Sequence, residues 1–492
     1  MPKTTAPPTP LHFRGAAEAG SPRLAGLPGV DREESSPVVV LEVERYDTDD
    51  LRLAAAGITL SLHRGDGRAP GGSAQWHLDL PDGDRDERLR VPVAADVAEP
   101  APVPAQIDEL IRGAARDRAV RPVGRARTTR AVTRLLAADD SVLAEVVHDH
   151  VSVATLGRST DVRTWTEAAL DLRPGAPEGL LDRLAESGLT PAAPGVDAAL
   201  DRLLRPASAR RARAGKKGSA GAALMAYVAT QADRLAAEDL RVRRDEPDAV
   251  HQLRVASRRL RSALQAYRPL LDVERTEPVV EALRRFGQAL APARDAEVLR
   301  ERVLAGLADL PPELRLGHAE AFATRHFARV EAEARAAVLT ELDGDRYAAL
   351  RGALEALLEE PPLTRAARGK SGLRTGVARA TKRLAKAVDA AVAPGPEQTE
   401  AVHAARKAGK RLRYATEVAG TKDRSLKRLQ KALGEHQDAV VAATALRELG
   451  AAAHASGENG FSFGVLLGRD VERAVRIERD LPQLWAGVRG RK

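Results

Sequence analysis

The stretch "VHQLRVASRRLRSAL", Val250 to Leu264, sets His251, Arg254, Arg258, Arg259 and Arg261 into one short run. At about 100° per residue on a helix, His251, Arg254, Arg258 and Arg261 fall in one narrow stripe, with Arg259 at its flank. Leu253, Ala256, Leu260, Ala263, Leu264 and Tyr267 fall on the opposite side. The spacing predicts an amphipathic helix with an apolar face and an almost purely cationic one. Solvated faces usually mix signs, because Glu–Lys pairs one turn apart relieve repulsion. No acid lies between His251 and Arg268, so the stripe calls for an external anion.

A second stretch repeats the pattern. "AVHAARKAGKRLRYATEVAG", Ala401 to Gly420, puts His403, Arg406, Lys410 and Arg413 on the same wheel positions, with Lys407 and Arg411 beside them. Ala405, Ala408, Leu412 and Ala415 form its apolar face. Both stretches read A-V-H-x-x-R-x-x-x-[RK]-R-L-R. Each is followed by a related element, "QALAPARDAEVL" from Gln288 and "QKALGEHQDAVV" from Gln430. Two matching elements in the same order indicate an internal duplication of roughly 150 residues.

Composition bounds the rest. The chain has 492 residues, 30% charged and 3% aromatic, with a net charge of +8 and a pI near 9.8. That excess points to a polyanionic partner. Cysteine is absent, which excludes disulfides and thiolate metal sites. No apolar run approaches the ~20 residues of a membrane span, and "MPKTTAPPTPLHF" lacks the apolar core of a signal peptide. The expectation is a soluble cytoplasmic protein with no membrane partner. No sequence feature fixes an oligomeric state.

Along the chain, residues 1–37 are rich in Pro, Gly and Ala and are expected to be poorly ordered. Residues 38–204 read as short strands, among them "SPVVVLEVERYD", "GITLSLHR", "AQWHLDLP", "ERLRVPV", "RPVGRARTTRAVTRLL", "SVLAEVVHDHVSVATL" and "TWTEAALDL". Two helices, "PAQIDELIRGAA" and "GLLDRLAESGL", interrupt them. Residues 205–222 read as a basic linker. Residues 223–492 read as helix after helix, broken at "PPEL", "DGDRY", "EEPPL" and "APGPEQ". The fold class expected is α+β: an antiparallel β-barrel followed by an all-α domain of two pseudo-symmetric four-helix bundles.

The helical half resembles the CHAD family, the conserved-histidine α-helical domains. The resemblance rests on the two histidine-arginine stretches and on "RDAEVL" and "GEHQDAVVA", and it covers nearly all of 223–483. It implies two pseudo-symmetric four-helix bundles with a basic central surface, binding of inorganic polyphosphate, and localisation to polyphosphate granules. The residues this assigns to polyphosphate are His251, Arg254, Arg258, Arg259, Arg261, His403, Arg406, Lys407, Lys410, Arg411 and Arg413. Arginine forks match phosphate oxygens and lysine adds point charge. Asp248 and Glu400 stand one turn before the two histidines, but one carboxylate and one imidazole are too few ligands for a metal amid so many cations. No metal site is assigned.

The strand-rich half resembles the CYTH family, the triphosphate tunnel fold shared by class IV adenylate cyclases and thiamine triphosphatases. "ERYDTDDLRLAAAGITLSLHR", "WHLDLP", "RPVGRARTTRAVTRLL", "VLAEVVHDHV" and "TWTEAALDL" carry it. The family implies an eight-stranded tunnel in which basic residues clamp a triphosphate and acids hold a divalent metal. This chain departs from that pattern. The family's opening E-x-E-x-K strand is missing near "PTPLHFRGAAE"; "EVER", Glu42 to Arg45, occupies the second strand instead. Ser61 and Leu62 stand where the family is basic, and Asp79 replaces a lysine. Glu167 is kept but the second acid of its pair is Ala169. Arg64, Arg125, Arg127 and Arg130 remain as a possible anion site, and Glu145 and Asp149 as remaining acids.

The reading is a polyphosphate-binding helical domain behind a CYTH-like domain without catalysis and without a cofactor. One alternative is a hydrolase of triphosphate or polyphosphate using magnesium or manganese in the tunnel. Another is nucleic-acid binding. The scarcity of aromatic stacking platforms and of any docking motif speaks against it.

Overall fold

The computed structural model describes residues 10–489 except 20, 21, 23, 66–73, 82–87, 94–99, 117, 158, 159, 194, 205–217, 394, 396, 397 and 422–425. The chain divides into two compact units between residues 209 and 210. Most of the stretch expected as a linker lies outside the described residues. Its last part does not behave as a linker: Ser219 caps a helix that starts at Ala220, its hydroxyl accepting from the Ala222 amide.

The first unit is one antiparallel sheet. Its strands are β1 (Leu11–Gly15), β2 (Arg32–Ser35), β3 (Val39–Asp47), β4 (Thr59–Arg64), β5 (Gln75–Asp79), β6 (Arg88–Pro92), β7 (Arg121–Leu136), β8 (Val142–Thr155), β9 (Val162–Leu172) and β10 (Thr190–Pro191). The helices are α1 (Arg52–Ala55), α2 (Ala105–Ala115), α3 (Leu180–Glu186) and α4 (Val196–Leu203). The strand order is β10-β1-β9-β8-β7-β3-β4-β5-β6, with β2 paired to β7 off that path. Leu200 and Leu204 lay α4 against Val123, Ala126, Val151 and Val153 on one face of the sheet. Gly124 permits this close approach, since a Cβ there would crowd Leu204.

Two expectations fail here. Residues 1–37 are not uniformly without structure: β1 pairs with β9 and β10, and β2 pairs with β7. Phe13 of β1 is buried with Leu170 and Leu189, so a single inward aromatic anchors a strand too short to show periodicity. "EVER" accordingly sits in the third strand, not the second. The barrel does not close either. Among the described strands β10 and β6 remain the two ends of the order. Each ends on a proline, Pro191 and Pro92, which has no N–H to extend a ladder.

The second unit is all helical: α5 (Ala220–Arg243), α6 (Ala249–Ala266), α7 (Val273–Ala289), α8 (Ala291–Ala308), α9 (Ala319–Leu342), α10 (Asp345–Glu359), α11 (Ser371–Ala391), α12 (Gln398–Val418), α13 (Leu426–Ala455) and α14 (Phe461–Arg489). The hairpins α5–α6 and α11–α12 repeat one another, as do α8–α9 and α13–α14. The buried side chains do not sort into one core per repeat, as two separate bundles would require. One core takes Leu224, Leu253 and Leu260 of the first half together with Leu384, Leu412 and Leu429 of the second. The other joins Val303 and Phe327 to Leu446 and Phe463. The cause is helix length. α13 and α14 have 30 and 29 residues, about 45 Å each, and reach both cores. Leu433 and Leu481 lie in the first, Leu449 and Leu466 in the second.

The repeats differ at one break. "QKALGEHQDAVV" runs inside α13 without interruption. "QALAPARDAEVL" is split at Leu290 between α7 and α8, because Pro292 cannot continue the helix from α7.

Tyr267, at the end of α6, is buried and donates its hydroxyl to the Ala415 carbonyl of α12 at 2.7 Å. Its ring packs directly against Gly376 of α11. In an open helix Gly→Ala stabilises by roughly 1 kcal/mol. At Gly376 a methyl group would overlap the Tyr267 ring, so Gly376→Ala is expected to destabilise the fold by about 1–3 kcal/mol. Urea denaturation of the two proteins measures the sign; a more stable variant would contradict this packing.

Candidate polyanion-binding site

The two cationic stripes lie on α6 and α12, which pack side by side. Their apolar faces are buried as the spacing predicted: Leu253, Ala256, Leu260 and Ala263 on one helix, Ala405, Leu412 and Ala415 on the other. This burial turns the basic sides toward each other. Arg258 of α6 stands among Arg406 and Lys410 of α12, and Arg261 stands beside Arg411. His251, Arg254, Arg258, Arg261, Arg406 and Lys410 are half-buried, while Lys407, Arg411 and Arg413 are exposed.

The cations differ in how they are held. Arg254 Nη1 donates to the Ala291 carbonyl at 2.8 Å and reaches Asp295 at 3.4 Å, so it clasps the break between α7 and α8. Its counterpart Arg406 faces Asp438 at 3.9 Å. Asp295 and Asp438 occupy the same place in the repeated "RDA" and "QDA" elements. The histidines follow the same symmetry: His251 sits by Arg294, and His403 Nδ1 donates to Gln437 Oε1. Burial, then Arg294, lowers the His251 pKa from its usual value. An imidazole so placed is a neutral donor more than a further cation. Arg259 is tied to Glu417 at 3.2 Å, and Glu417 also accepts from the Tyr227 hydroxyl at 3.0 Å. Arg259 is therefore part of the helix packing rather than of the open stripe.

Arg258 has a different partner. Its Nε donates to the Tyr414 hydroxyl at 2.8 Å, and Arg413 Nη2 donates to the same oxygen at 2.8 Å. Tyr414 is fully buried and aligns one guanidinium from each helix. Arg258, Arg261, Lys407, Lys410 and Arg411 make no direct ion pair among the described residues; Glu281 acts on Arg261 and Asp438 on Lys410 only at longer range. The consequence shows at Lys410. Burial first, then Arg406, Arg258 and Arg413, push its pKa down to about 7. Burial, then Arg411 and Arg258, also lowers that of Arg261. A cluster in which charge is this costly favours an anion that enters and neutralises it.

Sequence reasoning missed Tyr414, Glu417, Asp295, Asp438 and Gln437. Three of the five stood in the repeated second element, whose register against the histidine stretches carried the signal. Asp248, weighed above as a metal ligand, instead accepts from Gln252 Nε2 at 2.6 Å and lies 3.7 Å from Arg294.

In the first unit the four arginines do not form one open site. Glu44 is buried and accepts from Arg64 at 2.9 Å and from Arg125 Nε at 3.1 Å. Despite its burial, these two guanidinium groups lower its pKa overall. Arg127 lies 3.8 Å from Glu42. Arg130 is an odd number of residues from both Arg125 and Arg127, so it points to the other face of β7. There it holds Asp149 through two hydrogen bonds, at 2.8 and 2.7 Å. The remaining acids are paired as well: Glu145 with Arg134 at 2.9 Å, and Glu167 with Arg14 at 2.8 Å and the Trp165 indole at 2.7 Å. Ser61 and Leu62, neighbours in β4, face opposite sides of the sheet. Asp79 lies opposite Arg88 of β6 and Thr59 of β4.

Residues 226–447 match the CHAD domain family. Two uncharacterized proteins of Mycobacterium tuberculosis, MT2285 and Rv2226, are each 33% identical over 486 residues, covering 94% of this chain and 92% of theirs. Among solved structures, PptA from Streptomyces chartreusis is similar over 54% of this chain and 98% of its own, with 26% identity and a TM-score of 0.47. The CHAD domain from the plant Ricinus communis is similar over 57% and 96%, with 23% identity and a TM-score of 0.46. No helix among the described residues is long and apolar enough to cross a membrane. The chain thus belongs to one family with the two mycobacterial proteins, and the helices that bear its paired cationic stripes form a CHAD domain.

Proposed function

We propose that the protein binds inorganic polyphosphate in the groove between α6 and α12 and associates with polyphosphate granules in the cytoplasm. The observation that supports this most is the facing of Arg258 with Arg406 and Lys410, three cations from two helices that have Asp438, 3.9 Å from Arg406, as their near acid among the described residues. A chain with about one negative charge per phosphate meets that need along its length. It would release counterions as polyanions do on basic proteins. The site residues are Arg258, Arg261, Arg406, Lys407, Lys410, Arg411 and Arg413. Arg254 and the two histidines hold the groove's ends, and Arg259 braces the wall.

The first unit is, in this proposal, a CYTH-like scaffold without catalysis. Tunnel hydrolysis needs carboxylates free to hold a metal ion and cations free to clamp the triphosphate. Here Glu44, Glu145, Asp149 and Glu167 each pair with an arginine, and Arg64, Arg125 and Arg130 are the partners of two of them.

Three measurements test these readings. Full-length protein should bind long-chain polyphosphate with affinity that falls steeply with salt. Arg258→Ala with Lys410→Ala should cost about tenfold or more and flatten the salt dependence, with the helical fold retained because Tyr414 keeps Arg413 as a donor. Unaltered binding by that variant would remove the groove from the proposal. The second measurement is a pH series at fixed ionic strength. A bound anion favours protonated Lys410, whose pKa in the free protein lies near 7. Affinity should therefore fall as pH rises from about 6 to 8, and Lys410→Arg should flatten the upper part of that fall. A wild-type profile matched by Lys410→Arg would contradict it. Third, phosphate release from tripolyphosphate with magnesium or manganese should stay far below the roughly one turnover per second of ordinary enzymes. Fast metal-dependent release abolished by Glu167→Gln would show that the ion pairs open to substrate.

A further inference from the structure

A second cationic region lies outside both stripes. α11 carries Arg374, Arg379, Lys382, Arg383 and Lys386, and no acid before Asp389. Arg379 and Arg383 stand one turn apart, where like charges destabilise a helix. Both are exposed and without an ion pair or side-chain hydrogen bond among the described residues.

They rim a pocket of about 210 Å³ enclosed by α6, α7, α11 and α12. Arg268 and Arg411 complete the rim. The floor is apolar: Leu264, Val280, Gly376, Ala380 and Ala408. The one acid in the lining is Glu277, 3.5 Å from Arg268, and both of those side chains are more than half exposed. Such a pair contributes little and yields readily to a stronger anion. An adjoining recess shares Arg268, Arg379 and Arg383 and opens to solvent beside Pro269.

The two halves of this pocket ask for different chemistry. Four guanidinium groups suit a terminal phosphate, which each can grip with two donors. The floor offers a phosphate nothing, and pressing an anion on Leu264 and Val280 costs its hydration. Inorganic polyphosphate, charged at every unit, fits the rim and not the floor. The pocket is smaller than the roughly 300 Å³ or more of drug-sized sites, so the body it accepts is about one ring system. We propose that this pocket is a second anion site, specific for an organic phosphate with a flat apolar body and a multiply charged head, of the class of a nucleoside diphosphate. It is separate from the α6–α12 groove, although Arg411 borders both.

The test is calorimetric titration of the full chain with ADP as probe, and with pyrophosphate and adenosine as the two halves of that probe. ADP should saturate one site per chain. Pyrophosphate lacks the ring and adenosine lacks the charge, and each should bind at least about tenfold more weakly. Arg379→Ala with Arg383→Ala, two exposed residues without partners, should weaken ADP binding by about tenfold or more. Arg254→Ala with Arg258→Ala should leave it within about twofold, so a failed polyphosphate groove would not be mistaken for a failed pocket. Pyrophosphate binding as tight as ADP would reduce the site to bare charge and overturn the proposal. So would ADP binding that survives loss of Arg379 and Arg383, or the absence of saturable ADP binding.

Discussion

Two like-charged helices are held side by side, and much of the helical unit is arranged to make that possible. The repulsion between α6 and α12 is opposed from below by an apolar core that takes Leu253 and Leu260 from one and Val402 and Leu412 from the other. Two buried tyrosines lock the register. Tyr267 of α6 donates to a carbonyl of α12, and Tyr414 of α12 accepts from Arg258 of α6. Each fully buried Leu is worth roughly 1.5–3 kcal/mol, so a few of them outweigh several partly solvated charge repulsions. Stability is bought in the core and charge is left unbalanced in the groove. That imbalance is what the proposed polyanion would remove.

The strand-rich unit solves the opposite problem. It also gathers charged residues on a sheet, but the charged pairs across β3–β7 and β7–β8 are of opposite sign. Register sets this: β3 pairs Glu42 with Arg127 and Glu44 with Arg125, and β7 pairs Arg130 with Asp149 and Arg134 with Glu145. Opposite charges directly across a ladder stabilise it. A sheet whose charges cancel locally has little left with which to attract a polyanion. The two units differ in charge content as well as placement: residues 1–209 hold 25 basic and 32 acidic residues, and residues 210–492 hold 52 and 37.

How much of this the sequence disclosed follows from the range of each interaction. The stripes on α6 and α12 were legible because a helix writes its faces at short spacing, and the duplication confirmed the register of both. The strands β3 to β9 were legible for the same reason at period two. Even the opposed direction of Arg130 was available, since it is an odd number of residues from Arg125. The hold of Arg259 on Glu417 was not, because it depends on how two helices far apart in sequence come to pack. β1 was hidden by its brevity and by the Pro-rich composition around it. The open sheet was hidden because closure is a property of the ends of the strand order, and no local pattern records which strands those are.

The length of α13 and α14 bears on how the helical unit comes apart. In a chain built from two copies of one element, each copy is a natural candidate for independent folding. Here each of these helices buries one end in the first core and the other in the second. Melting either core strips the packing from about half of a helix that the other core needs, and the freed half, roughly 15 residues, is marginal in water on its own. The ancient boundary between the copies is therefore no longer a seam. The duplicated halves share one cooperative fate, and the groove they build together exists only while both are folded.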